Sequence, residues 1–173
     1  MEIRIAGLAE ESIVDGPGFR FTVFTQGCPH HCKGCQNPQT HDFEGGMIDD
    51  TDRIFDMIIK DPLLDGVTFS GGEPFCQCSA LLSLAEKIRG FKERRLNIIS
   101  YTGYTFEQLI ERGKTEPDCK ALLEKLDYLV DGRFEEEKRS LELKFRGSSN
   151  QRFIDVQRSL KEGKAVEVDD SLL

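Results

Sequence analysis

Three cysteines fall within eight residues, Cys28-Pro-His-His-Cys32-Lys-Gly-Cys35. They come directly after Arg20-Phe-Thr-Val-Phe-Thr-Gln26, a β-branched and aromatic run that reads as a strand. Residues 27–46 are rich in Gly, Pro, Cys and His and read as a long loop. A structureless segment of that length inside a compact domain is usually functional. A chain of this kind must therefore build a scaffold that holds a thiol-rich loop at the end of a strand.

The chain has 173 residues, enough for one domain with its own core. It is 38% hydrophobic and 31% charged, the balance of a folded, water-soluble chain. The formal net charge of -8 argues against binding to a nucleic-acid backbone. No apolar run reaches the length of a membrane span. The first residues carry Glu2 and Arg4 and lack the layout of a signal peptide, so a cytoplasmic location is expected, with neither nucleic acid nor membrane as partner. In that compartment the six cysteines are expected to serve metal or redox chemistry, not disulfides.

Strands and helices alternate along the chain. Residues 51–60 place Ile54, Phe55 and Ile58 on one helical face, with Asp49, Asp50 or Thr51 able to cap. Gly66 to Ser70 reads as a buried strand ending in the turn Gly71-Gly72. Residues 79–91 carry Leu81, Leu84, Ala85 and Ile88 in one apolar stripe. Leu96 to Tyr101 is the next strand. Thr105 and Gln108 fit a capping box, and Pro117 opens a further helix. Short strands follow at Tyr128–Val130 and Arg152–Val156. Residues 164–173 are acidic and read as a loose tail. This order predicts an α/β fold, a single domain over residues 1–173 with a mainly parallel sheet. An eight-fold βα barrel needs about 250 residues, so a partial barrel open along one side is expected.

Thiolates are the soft ligands of iron–sulfur clusters. Three of them leave one iron of a four-iron cube without a protein ligand, open to a small molecule. Two other readings fit the bare spacing: zinc with His30, His31 or His41 as fourth ligand, or buried inert thiols. Ser70-Gly71-Gly72-Glu73-Pro74 follows a strand as the cysteine loop does, and loops that follow barrel strands share one face. Two glycines there allow close backbone approach to a ligand. Cys76, Cys78 and Cys119 lack the regular spacing of a second cluster and are read as non-ligands.

The Cys-x3-Cys-x2-Cys spacing and the Gly71-Gly72-Glu73 segment resemble the signatures of the radical S-adenosylmethionine (SAM) superfamily. Further segments narrow the likeness: Asp15-Gly16-Pro17-Gly18-Phe19-Arg20, Cys35-Gln36-Asn37-Pro38, Tyr101-Thr102-Gly103-Tyr104, Asp131-Gly132-Arg133-Phe134 and Arg146-Gly147-Ser148-Ser149-Asn150-Gln151-Arg152. Together, from about Ile3 to about Leu160, they resemble the short glycyl-radical activases that serve anaerobic ribonucleoside-triphosphate reductase. The resemblance implies a [4Fe–4S] cluster on Cys28, Cys32 and Cys35, with SAM chelating the unique iron. It implies SAM contacts from Gly71, Gly72 and Glu73, and on motif position from Gly34, Gln36, Asp131 and Arg133. Gly34 stands where many members of the superfamily carry an aromatic residue. The implied activity is an oxidoreductase reaction: reductive cleavage of SAM to a 5′-deoxyadenosyl radical that takes hydrogen from a glycine of the reductase. No catalytic acid or base beyond cluster and SAM is required. The implied partners are that reductase and a flavodoxin-like or other one-electron donor. Arg146 to Arg152 is a polar stretch suited to docking. The alternatives are a radical SAM enzyme acting on a small metabolite, such as a deazapurine-forming synthase, and a non-catalytic zinc module.

Overall fold

The computed structural model describes residues 1–173. Seven strands form one sheet: β1 (Glu2–Ser12), β2 (Arg20–Thr25), β3 (Met47–Asp50), β4 (Gly66–Gly71), β5 (Asn97–Tyr101), β6 (Tyr128–Asp131) and β7 (Arg152–Asp155). Their order across the sheet is β3-β1-β2-β4-β5-β6-β7. The centre, β2-β4-β5-β6, is parallel. The outer strands are antiparallel: β1 on β2, β3 on β1 and β7 on β6. The parallel character is thus confined to the middle of the sheet. β3 and β7 stand at opposite edges, so the sheet is open and closes no barrel.

Four helices lie in the connections between strands, α1 (Thr51–Lys60), α2 (Cys78–Gly90), α3 (Phe106–Gly113) and α4 (Pro117–Lys125), and α5 (Val156–Glu162) follows β7. Their starts follow the expected local chemistry. The Asp50 side chain caps α1 by accepting from the Asp52 N–H. Thr105 and Gln108 form the capping box of α3. Pro117 sits in the first turn of α4. All five helices contribute to one apolar cluster, through Ile54 and Ile58, Leu81 and Leu84, Leu109, Leu122 and Val156.

The period of a strand divides the sheet's two faces. Val67, Phe69, Ile98, Leu129 and Ile154 point into the helix-covered core. Their neighbours Ile99, Val130 and Phe153 form a separate small cluster with Tyr101, Phe145, Val168 and Leu173. The same second face carries a buried polar row. Arg20 donates to Thr68 Oγ1 at 2.7 Å and to the Val67 carbonyl at 2.8 Å. Thr22 and Ser12 both donate to Asp15. Burial lowers the Arg20 pKa to about 10.

Residues 164–173 depart from the loose tail expected of them. The Asp155 N–H donates to Val166 at 2.9 Å, and the Val168 N–H donates to Phe153 at 2.8 Å. Asp170 pairs with Arg146 at 2.6 Å. The acidic composition suggested solvation, but Val166, Val168 and Leu173 supply enough apolar and backbone contact to cover the free edge of β7. No helix is long and apolar enough to cross a membrane.

Candidate metal centre

Each parallel strand ends at the same edge of the sheet, and each end feeds a site loop: Gln26-Gly27-Cys28 after β2, Gly72 after β4, Thr102 after β5 and Gly132 after β6. The cysteine loop is closed at its base. The Gly27 N–H donates to Thr40 at 2.7 Å and the Cys28 N–H to His41 at 3.1 Å. The amide of Gln26 donates to the carbonyls of Gln39 and Asp42, at 3.0 and 2.8 Å. This is a compact loop with joined ends, rigid enough to present three thiols.

The three thiols are free, and Cys28 is buried while Cys32 and Cys35 are half-buried. Backbone donors point at the sulfurs. The Asn37 N–H lies 3.4 Å from Cys35 Sγ. Burial raises the Cys28 pKa, and hydrogen bonds from the backbone at His30 and His31 oppose that rise. Amide donors to thiolate sulfur are a regular feature of iron–sulfur ligation and tune the cluster's potential. No three His, Cys, Asp or Glu side chains are grouped to hold a single metal ion. His30 is not free to serve as a zinc ligand through Nε2, which lies 2.7 Å from Glu73 Oε1. His31 and His41 pack edge to face on each other, with centroids 5.1 Å apart.

Cys28, Cys32 and Cys35 line a cavity of about 610 Å³ together with Gln36, Gly71, Gly72 and Arg133. The two glycines are sterically required. A Cβ on Gly71 would lie 2.6 Å from the Thr25 backbone, and one on Gly72 would lie 2.4 Å from the Gly27 carbonyl. The Gly-Gly turn thus packs its backbone directly against the residue that precedes Cys28.

Three residues expected to face SAM do not line this cavity. Glu73 is 1% exposed. Its carboxylate accepts from Gly103 N–H at 2.7 Å, Phe75 N–H at 2.9 Å and Thr102 Oγ1 at 2.9 Å, besides its contact with His30. Its lone pairs are committed inside the protein, so it braces the site from behind. Asp131, also 1% exposed, accepts from the Phe106 N–H at 2.8 Å and pairs with Arg152. It anchors the start of α3 and the β6–β7 pair. Gly34 adopts φ +75 to turn the loop, and a Cβ there would meet the Glu136 side chain at 3.1 Å.

Sequence reasoning passed over the aromatic lining. Tyr101, Phe134 and Phe145 border the cavity, and Tyr101 donates to the Phe145 carbonyl at 2.7 Å. Burial pushes the Tyr101 pKa up, keeping the phenol neutral. The available signal was positional, since Tyr101 and Phe134 end or follow strands that feed the same face.

The other cysteines depart from the expectation of no disulfide. Cys78 and Cys119 are joined, with Cα atoms 5.0 Å apart. The composition argument rested on compartment alone, whereas the fold brings the starts of α2 and α4 together. Cys76 is free and lies outside the cluster cavity.

The chain is similar to several known proteins. The family described as a 4Fe-4S single cluster domain matches residues 14–154. The anaerobic ribonucleoside-triphosphate reductase-activating protein of Vibrio cholerae is 37% identical over 147 residues, covering 80% of this chain and 89% of that protein. The protein of the same description from Escherichia coli K12 is 35% identical over 147 residues, covering 80% and 90%. Among solved structures, QueE from Escherichia coli overlaps with a TM-score of 0.45 at 17% identity, covering 61% of this chain and 54% of that one.

Proposed function

This chain belongs to the family of anaerobic ribonucleoside-triphosphate reductase-activating proteins, and from that premise we propose that it is a radical SAM glycyl-radical activase. The substrate on this reading is a glycine of the anaerobic reductase. The observation that carries the reading is the meeting of three free thiols and the Gly71-Gly72 turn in one cavity at the carboxyl ends of four parallel strands.

A [4Fe–4S] cluster held there would supply the single electron that breaks the S–C5′ bond of SAM, giving methionine and a 5′-deoxyadenosyl radical. The chain's residues bind and orient. Cys28, Cys32 and Cys35 hold three irons. The backbone of Gly71 and Gly72 lies open to the methionine end of SAM. Arg133 is exposed, makes no ion pair and borders the cavity, which suits it to the SAM carboxylate. Tyr101, Phe134 and Phe145 offer apolar faces to the adenine in place of the aromatic residue that Gly34 lacks.

The open sheet supports a protein substrate. Ser140, Leu141 and Gly147 border the same cavity near the chain surface, and Leu141 is 89% exposed. A loop of a partner can reach such a site, whereas a small radical would be poorly shielded from water. The test is anaerobic incubation of the reduced, cluster-loaded chain with SAM and the purified reductase. A glycyl-radical doublet should form on the reductase, with 5′-deoxyadenosine in proportion, and should vanish when the target glycine is changed to Ala. SAM cleavage without any radical on the reductase would refute the activase reading.

A further inference from the structure

A second cleft, of about 670 Å³, lies apart from the cluster cavity, and sulfur dominates its chemistry. It is bordered by Phe75, Cys76, Cys78, Arg112 and Cys119. Cys78 is the first residue of α2, and Cys119 lies in the first turn of α4. Their disulfide sits against the Phe75 carbonyl, 3.2 Å from Cys78 Sγ and 3.8 Å from Cys119 Sγ. Arg112 reaches over from α3. Its Nε and Nη2 pair with the Glu116 carboxylate at 2.7 and 3.0 Å, and Nη2 also lies 3.3 Å from Cys119 Sγ and 3.2 Å from the Phe75 carbonyl. Its Nη1 is buried and has no hydrogen-bond partner.

These contacts suit a bond that opens and closes. A sulfur leaving a disulfide departs as a thiolate, and a lower thiol pKa makes it leave faster. Cys119 has beside it a helix N-terminus and one N–H of the Arg112 guanidinium, which is itself paired with Glu116; both donors favour negative sulfur. Cys78 has the Phe75 carbonyl ready to accept from its S–H once reduced.

Cys76, the third thiol, shares the cleft. Desolvation, aided by Glu73 and Cys28 nearby, raises its pKa to about 11. Cys76 is exposed and free, and a single thiol cannot return the pair to two thiols, so the reducing dithiol comes from outside the chain.

We infer that Cys78–Cys119 is a thiol–disulfide exchange site that takes two electrons from an external dithiol. One thiolate of the dithiol attacks Cys78 Sγ. The Cys78–Cys119 bond breaks, and its electron pair leaves on Cys119 beside Arg112. The second thiol of the reductant, deprotonated, then attacks the mixed disulfide at the reductant's own sulfur and frees Cys78. The dithiol departs as a disulfide, and both cysteines take up protons. The site is separate from the cluster chemistry but borders it, since the Phe75 N–H donates to the Glu73 carboxylate that braces the cluster loop.

The test uses the full cluster-loaded chain under anaerobic conditions. It is treated with dithiothreitol or with reduced thioredoxin, quenched with N-ethylmaleimide and mapped by peptide mass. Before treatment only Cys76 of the three should be labelled. After treatment Cys78 and Cys119 should be labelled together, with iron content unchanged. Opening by both reductants identifies a protein dithiol as a competent source, and opening by dithiothreitol alone identifies a small one. Arg112→Ala should slow opening about tenfold and Arg112→Lys should restore most of the rate. Labelling of Cys78 and Cys119 before any reductant would overturn the inference. So would a bond that resists both dithiols in the folded chain and opens only in denaturant.

Discussion

His30 Nε2 lies 2.7 Å from Glu73 Oε1, with the two side chains 4% and 0% exposed. This contact joins the cysteine loop to the Gly-Gly turn, and Glu73 continues it to the end of β5 through Thr102 and Gly103. Three loops from three strands are thereby tied to one carboxylate. Such a polar hub is stable only while every donor has its acceptor.

Glu73→Ala should therefore act on the scaffold before it acts on SAM. It strands buried donors at Phe75, Gly103 and Thr102, a loss of about 3 kcal/mol or more. Chemical denaturation should show that loss, and iron retention should fall with it. Unchanged stability with weakened SAM binding would instead place Glu73 in direct contact with SAM.

The cluster ligands should separate cleanly from the other cysteines. Ala at Cys28, Cys32 or Cys35 should abolish or sharply reduce iron and sulfide after anaerobic reconstitution. Cys76→Ala should retain both, because Cys76 lies outside the cavity. Loss of the cluster in Cys76→Ala would overturn the three-ligand assignment.

Gly72→Ala should disturb the cofactor cavity without touching a cysteine. The added Cβ meets the Gly27 carbonyl at 2.4 Å, so the turn must move away from the cluster loop. SAM affinity, read from the change it causes in the electron-spin spectrum of the reduced cluster, should fall at least tenfold. A SAM-induced spectral change at wild-type SAM concentrations would argue against the turn as a cofactor contact.

Asp131→Asn should destabilise the fold by about 1–2 kcal/mol, since Arg152 loses its buried charge partner while remaining partly in solvent. Arg152 also contacts Glu107, so part of its charge stays compensated. The effect should appear in the denaturation midpoint and leave SAM affinity of the folded fraction unchanged.

Acid should weaken the β3–α1 junction. Arg53, hydrogen-bonded to Asp49, holds the Asp49 carboxyl below its ordinary range. A depressed carboxyl pKa adds stability that is complete above the unfolded value of about 3.9 and is lost as pH falls through the folded value. Stability of the metal-free chain should therefore drop between about pH 5 and pH 2. Asp49→Asn should lower stability at neutral pH and flatten that slope.

The elements legible in the sequence are those whose signal lies within a few residues. The capping box at Thr105, the Pro117 start, the apolar stripe of α2 and the strand before Cys28 all formed where local pattern placed them. The three cysteines and the Gly71-Gly72 turn were readable for the same reason, since their spacing is itself the chemistry. β1 was not: Glu2–Ser12 carries three Glu, two Ala and a Gly, weak strand formers, and its extended form depends on pairing with β2 and β3. Long-range partners decided the rest. Glu73 meets His30 across 43 residues and Cys78 meets Cys119 across 41. Whether a carboxylate faces a ligand or is consumed by buried donors depends on what the fold packs around it. No residue type or local spacing encodes that; only the tertiary structure decided that Glu73 and Asp131 are buried and hydrogen-bonded to Gly103, Phe75, Phe106 and Arg152.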